Sequence, residues 1–130
     1  MDIKKYFEEA EGFGVLSTAD REGRVDSAVY AKPHVIDENT VAFITGEKLT
    51  HANLQDNPYA IYLFREESPG YSGKRVYLKK ERESDDPAEV EQACKEAWPA
   101  ADAAGYCERG KYIVYFRAEK ILPLVGSGGK

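Results

Sequence analysis

At 130 residues the chain is long enough for one self-supporting domain and too short for a separate catalytic one. A formal net charge of −5, with a densest charge run (Lys79-Lys80-Glu81-Arg82-Glu83) whose signs alternate, argues against a nucleic-acid binder. The 42% hydrophobic content never concentrates into the roughly 18 consecutive apolar residues of a membrane helix, so one folded domain is expected over residues 1–130, with a fraying glycine-rich tail at 126–130.

In chain order, Asp2 caps a first helix that places Ile3, Tyr6, Phe7 and Ala10 on one face and ends at Gly12. Phe13 to Thr18 reads as a buried strand. The polar turn Ala19 to Gly23 follows it. Arg24 to Ala31 then alternates, with Val25, Ser27, Val29 and Ala31 on one side and Asp26, Ala28, Tyr30 and Lys32 on the other, so the two runs form a hairpin. Lys32 to Ile36 continues extended. Asp37 to Thr40 turns, and Val41 to Ile44 is a buried strand. Thr45 to Pro58 reads as a loop opening a short helix, which Asn57-Pro58 stops. Tyr59 to Phe64 is a further strand, Ser68 to Gly73 a loop, and Lys74 to Glu81 the next strand. Asp85-Asp86-Pro87 starts a helix with Val90, Ala93, Cys94, Ala97 and Trp98 along its apolar stripe. A small-residue linker, Ala100 to Gly110, leads to a last strand, Tyr112 to Ile121. Consecutive strands with turn-length gaps argue an antiparallel sheet, and six strands close naturally into a barrel that hides its edges.

Familiar catalytic signatures are absent. Nothing matches GxSxG, GxxxxGK[ST] or GxGxxG. The adjacent carboxylate pairs Glu8-Glu9, Glu66-Glu67 and Asp85-Asp86 read as solvated surface, so no catalytic dyad is assigned. His34 and His51 are not at ligand spacing, which disfavours a metal site. The opening Met1-Asp2-Ile3-Lys4-Lys5 carries no signal core. A cytoplasmic protein with Cys94 and Cys107 as free thiols is therefore expected.

The stretch with chemical content is Thr45 to Asn53. A strand ends in Thr45-Gly46, a lysine follows at 48, and Thr50 sits at a helix start. A helix N-terminus presents free N–H groups and partial positive charge, which suits a phosphate. Lys48 adds charge and Thr50 a hydroxyl. An ordinary strand–turn–helix junction accounts for the same residues.

Several segments together carry a resemblance: Gly12 to Asp20, the hairpin from Gly23 to Tyr30, Thr45 to Leu63 with Leu49 to Pro58 as its short helix, and Gly70 to Leu78. In their order and spacing the chain resembles the pyridoxamine-phosphate-oxidase-like family of FMN-binding split barrels, over roughly residues 2 to 125. The resemblance implies a six-stranded antiparallel split β-barrel with short peripheral helices. It also implies a homodimer with two FMN sites at the subunit interface. Carried onto this sequence, the phosphate residues are Lys48 and Thr50, with Thr45 nearby and Asn53 one turn further on. The flavin ring lies along Ser27, Ala28, Val29 and Tyr30. Leu49 stands where many members carry a basic residue, a departure within the phosphate loop. Tyr30 and Tyr71 are candidates to line the ring face. The implied activity is an FMN-dependent oxidoreductase of unknown small-molecule substrate, in which the cofactor performs the electron or hydride transfer. The alternatives are a non-catalytic flavin or electron-transfer module, and a split barrel holding haem or a deazaflavin, with His34 and His51 the nitrogen ligands on offer.

Overall fold

A computed structural model of the chain describes residues 2–46, 48–97 and 110–126. Helix α1 (Ile3–Glu9) is capped by Asp2, whose carboxylate accepts from the Lys5 N–H at 3.1 Å. It ends at Ala10 rather than at Gly12, because Gly12 already belongs to β1 (Gly12–Ala19). A Cβ at 12 would lie 2.0 Å from the Arg65 carbonyl oxygen, so the residue serves close strand approach, not helix termination. Strand β2 (Val25–Tyr30) returns from the turn at Gly23, whose φ of +84° suits glycine. Strand β3 (His34–Val35) is two residues long, and β4 (Thr40–Thr45) follows the Asp37–Asn39 turn. Then come α2 (Leu49–Asp56), β5 (Tyr59–Glu66), β6 (Gly73–Ser84), α3 (Pro87–Ala97) and β7 (Tyr112–Pro123).

The strands make one antiparallel sheet in the order β2-β1-β5-β6-β7-β4-β3. There are seven strands among the described residues rather than the expected six. The extra one is the extended segment after Pro33, which pairs with β4 only at His34↔Ala42 and Val35↔Val41. Proline lacks an N–H on one side of it and a turn begins on the other, so pairing stops there. Two register shifts where β6 meets β7 bend the sheet. The curl brings β2 back toward β4, where the hydroxyls of Tyr30 and Thr45 share a hydrogen bond of 2.7 Å.

Period-2 alternation decides what lies inside. Leu16, Tyr62, Phe64, Val76, Leu78, Phe43 and Phe116 point inward and are fully buried, and α1 adds Ile3 and Phe7 as a plug. The rings meet edge-on or tilted: Phe7 against Phe64 at 5.4 Å, Phe43 against Tyr62 at 4.9 Å and Phe43 against Phe116 at 5.9 Å. Each such side chain contributes about 1.5–3 kcal/mol by burial. Tyr62 reaches across this core and donates to the Tyr30 carbonyl at 3.0 Å. Gly14 makes room for it, since a Cβ there would lie 2.1 Å from the Tyr62 ring.

A second cluster joins Ala42, Ile44 and Ile113 of the sheet to Val90, Ala93 and Cys94 of α3. Cys94 is disulfide-bonded, which corrects the expected free thiol. Spacing alone carries no signal of pairing, and compartment was the only guide. Cys107, Trp98, the Ala100–Arg109 part of the linker and the tail from 127 onward lie outside the described residues. No described helix is long and apolar enough to cross a membrane.

Candidate functional site

The barrel is split between β2 on one side and the β4–α2 junction on the other. α2 runs beside β2. Thr45 and Lys48, at its entrance, face the Tyr30 end of β2. Asn53, further along, donates from its amide to the Thr18 hydroxyl at 3.0 Å, and Thr18 is the register partner of Asp26 near the other end of β2. Asp56 takes a 2.9 Å hydrogen bond from Arg21 and fixes the far end of the helix. Between strand and helix lies a cleft of about 420 Å³, within the range of ligand sites.

Of the nine residues singled out in the sequence, Ala28, Val29, Tyr30, Thr45, Lys48, Leu49 and Thr50 line this cleft. Ser27 and Asn53 do not. Ser27 points to the opposite side of β2 and hydrogen-bonds Ser17 at 2.8 Å. Asn53 is buried against Thr18 and holds α2 onto β1, which makes it a support rather than a lining residue. The cleft also takes in Asp26, Ile44, Gly46 and Gly110. Asp26 was readable, since it shares the strand face of Ala28 and Tyr30. Gly110 was not, because only the β4–β7 pairing brings it there.

The phosphate-like end has clear chemistry. Lys48 is the N-cap residue of α2 and gives no side-chain cap. Its carbonyl takes the Ala52 N–H at 3.0 Å, so the N–H groups of Leu49, Thr50 and His51 have no partner within the helix. Thr50 is buried, while Leu49 is 57% exposed at the cleft mouth. Tyr30 is held three ways: by Thr45, by Tyr62 through its backbone, and edge-on by Phe43 at 6.0 Å. Burial pushes the Tyr62 phenol well above its ordinary range, so it stays a donor. Tyr71 lies on the exposed loop between β5 and β6 and is no part of this cleft.

Neither histidine enters the cleft. His51 stacks on Tyr112 at 3.8 Å, and its Nε2 lies 2.9 Å from Glu83, which also receives Gln55 at 2.8 Å and Lys80 at 2.6 Å. Burial raises the Glu83 carboxyl, but the donors from Lys80, Gln55 and His51 outweigh it and hold the group down at about 2. His34 is half-buried, 3.5 Å from Glu96. Burial lowers its affinity for a proton, against the attraction of Glu96. His51 is thus committed to a structural network. No cluster of metal-ligating side chains exists among the described residues.

The architecture recurs in solved structures. An FMN-binding protein from Syntrophomonas wolfei superposes with a TM-score of 0.76 at 22% identity, over 96% of this chain and 85% of that one. A protein of the pyridoxinephosphate oxidase family from Clostridium acetobutylicum, related to general stress protein 26 of B. subtilis, gives 0.67 at 16%, over 95% and 89%. The chain is a split barrel. HupZ from Group A Streptococcus shares the same split barrel, with a TM-score of 0.72 at 19% identity over 96% of this chain and 93% of that one. No family model and no curated protein matches the sequence.

Proposed function

We propose that this split barrel binds FMN in the cleft between β2 and α2 and works as a homodimeric FMN-dependent oxidoreductase on a small molecule. The observation that carries the reading is the cleft itself. One end gathers a lysine, two threonine hydroxyls and the unpartnered N–H groups of a helix start, and a strand edge runs away from them. That donor set fits a phosphate at one end. Because β2 pairs only with β1 among the described residues, one row of its backbone groups is left over for a planar ring beside it. The split-barrel neighbour that is itself an FMN-binding protein supports the same choice of ligand.

FMN, when bound, supplies hydride or electron transfer. The protein's part is binding and orientation. Lys48 and Thr50 hold the anionic end, Tyr30 is fixed as a wall by Thr45, Phe43 and Tyr62, and Ile44 and Ala28 keep the floor apolar. The occupant of the outer sheet face is a second copy of this chain. Val25, Val29, Leu63, Tyr59 and Phe13 are exposed there, and an apolar hollow of about 380 Å³ opens beside Ile61 and Tyr77. Val25 and Val29 belong to the strand that also walls the cleft, so a copy seated on this face reaches the cleft mouth.

The test is titration of the purified protein with FMN, followed by flavin fluorescence and thermal stability. Quenching and stabilisation are expected. Lys48→Ala is expected to weaken binding by about 1–3 kcal/mol and to leave the melting of the ligand-free protein unchanged. No quenching and no thermal shift with the unmodified protein would sink the flavin reading.

A further inference from the structure

Asp26 and Lys48 line one cleft, carry opposite charges, and have no side-chain partner among the described residues. They do not pair with each other. This sets them apart from other charges near the split: Asp20 holds Arg24, Asp56 holds Arg21, and Glu83 holds Lys80. The two also stand at opposite ends. Lys48 opens α2 beside the Tyr30–Thr45 hydrogen bond, whereas Asp26 is the register partner of Thr18, beside Asn53 further down α2. Four residue steps of extended strand separate Asp26 from Tyr30, about 13 Å. The cleft therefore has a cationic end and an anionic end, with Ala28 between them.

We propose that Asp26 is the selectivity residue of this cleft, accepting a hydrogen bond from a ring imide N–H at the end of the ligand opposite its phosphate. The inference rests on the flavin reading above. FMN and phosphate-bearing deazaflavins share that imide, a ring N–H between two carbonyls. A carboxylate acceptor makes a short, charge-assisted bond to it. The same carboxylate discriminates, because a ligand that covers Asp26 without offering a donor leaves a desolvated charge unpaired.

The experiment compares FMN with 3-methyl-FMN, whose imide nitrogen carries a methyl group in place of hydrogen. Dissociation constants are measured by flavin fluorescence for the unmodified protein, Asp26→Ala and Asp26→Asn. The unmodified protein is expected to prefer FMN by about 10- to 100-fold. Asp26→Ala is expected to abolish that preference from both sides, losing affinity for FMN with its bond and regaining some for 3-methyl-FMN as the unpaired charge is removed. Asp26→Asn, which keeps an acceptor oxygen, is expected to retain part of it. Equal binding of both ligands by the unmodified protein overturns the proposal and leaves the flavin reading standing. So does an Asp26→Ala variant that gains 3-methyl-FMN with FMN unchanged, since that is the signature of a steric clash alone. Failure to bind FMN at all removes the flavin reading first. Both variants should melt with the unmodified protein, because the side chain is partly exposed on an edge strand and bonds nothing described.

Discussion

The barrel interior and the β2 edge are built by the same alternation and end in opposite states. Inside, Phe43, Tyr62, Phe64 and Phe116 interlock and the Tyr62 hydroxyl has its partner. Along β2, Asp26, Ala28 and Tyr30 face the cleft from one side, while Val25, Ser27 and Val29 are exposed on the other, Val29 reaching the cleft at its rim. A strand that only closed a barrel would not keep both faces open. The interior supplies the stability, and the edge is left for a ligand and a partner. Only Tyr30 belongs to both regions, packed on Phe43 and lining the cleft.

The largest expected effect comes from the interior. Phe116→Ala removes a fully buried ring that packs on Phe43, and should lower unfolding free energy by about 3–5 kcal/mol in urea titration. A loss below 1 kcal/mol would mean the interior is not the stabilising region described. Gly14→Ala tests the link between the regions. The added methyl collides with the Tyr62 ring, so Tyr62 must move and its bond to the Tyr30 carbonyl is lost. The expected cost is about 1–3 kcal/mol of stability together with weaker FMN binding. Weakened stability with unchanged FMN affinity would separate Tyr30 from the cleft.

The outer face is tested by Ile61→Asp. Ile61 lies between Ser17 and Tyr77 in register and is half-buried in the isolated chain. Sedimentation velocity is expected to show a dimer for the unmodified protein and a folded monomer for the variant. A variant that stays dimeric would move the interface elsewhere on the molecule.

How much of this was legible in the sequence follows from the range of each interaction. Alternation in residues 24–31 is local, so the two faces of β2 could be read directly, and the Thr45-to-Thr50 junction is a short contiguous signal. Four consecutive residues along β2 do not share one surface: the Ser27 side chain turns to Ser17 and away from the cleft, because strand geometry sends alternate residues to opposite faces. Asn53 was placed correctly on α2, but only its contact with Thr18, 35 residues away, shows that it faces β1. Gly110 enters through β4–β7 pairing, and the bonded state of Cys94 is not encoded in the residues beside it. Neither leaves a local trace.

The smallest effect concerns the wall behind α2. Glu83 is held at about 2 in the folded chain, below its ordinary 4.5, by Lys80, Gln55 and His51 acting against burial. A lowered folded value means that the folded state binds this proton less readily than the unfolded chain. The stabilisation is therefore complete above pH 4.5 and is lost as the pH falls toward 2. Glu83→Gln removes the titrating group, so unfolding curves collected between these values should show a shallower fall with acid than the unmodified protein. The variant also releases Lys80 and loosens the His51–Tyr112 stack, which stands next to Lys111 and Gly110 in the chain. A modest rise in the FMN dissociation constant at neutral pH is expected from that loosening. Identical acid slopes in the two proteins would show that Lys80, Gln55 and His51 do not hold the Glu83 carboxyl below its ordinary value in the folded chain.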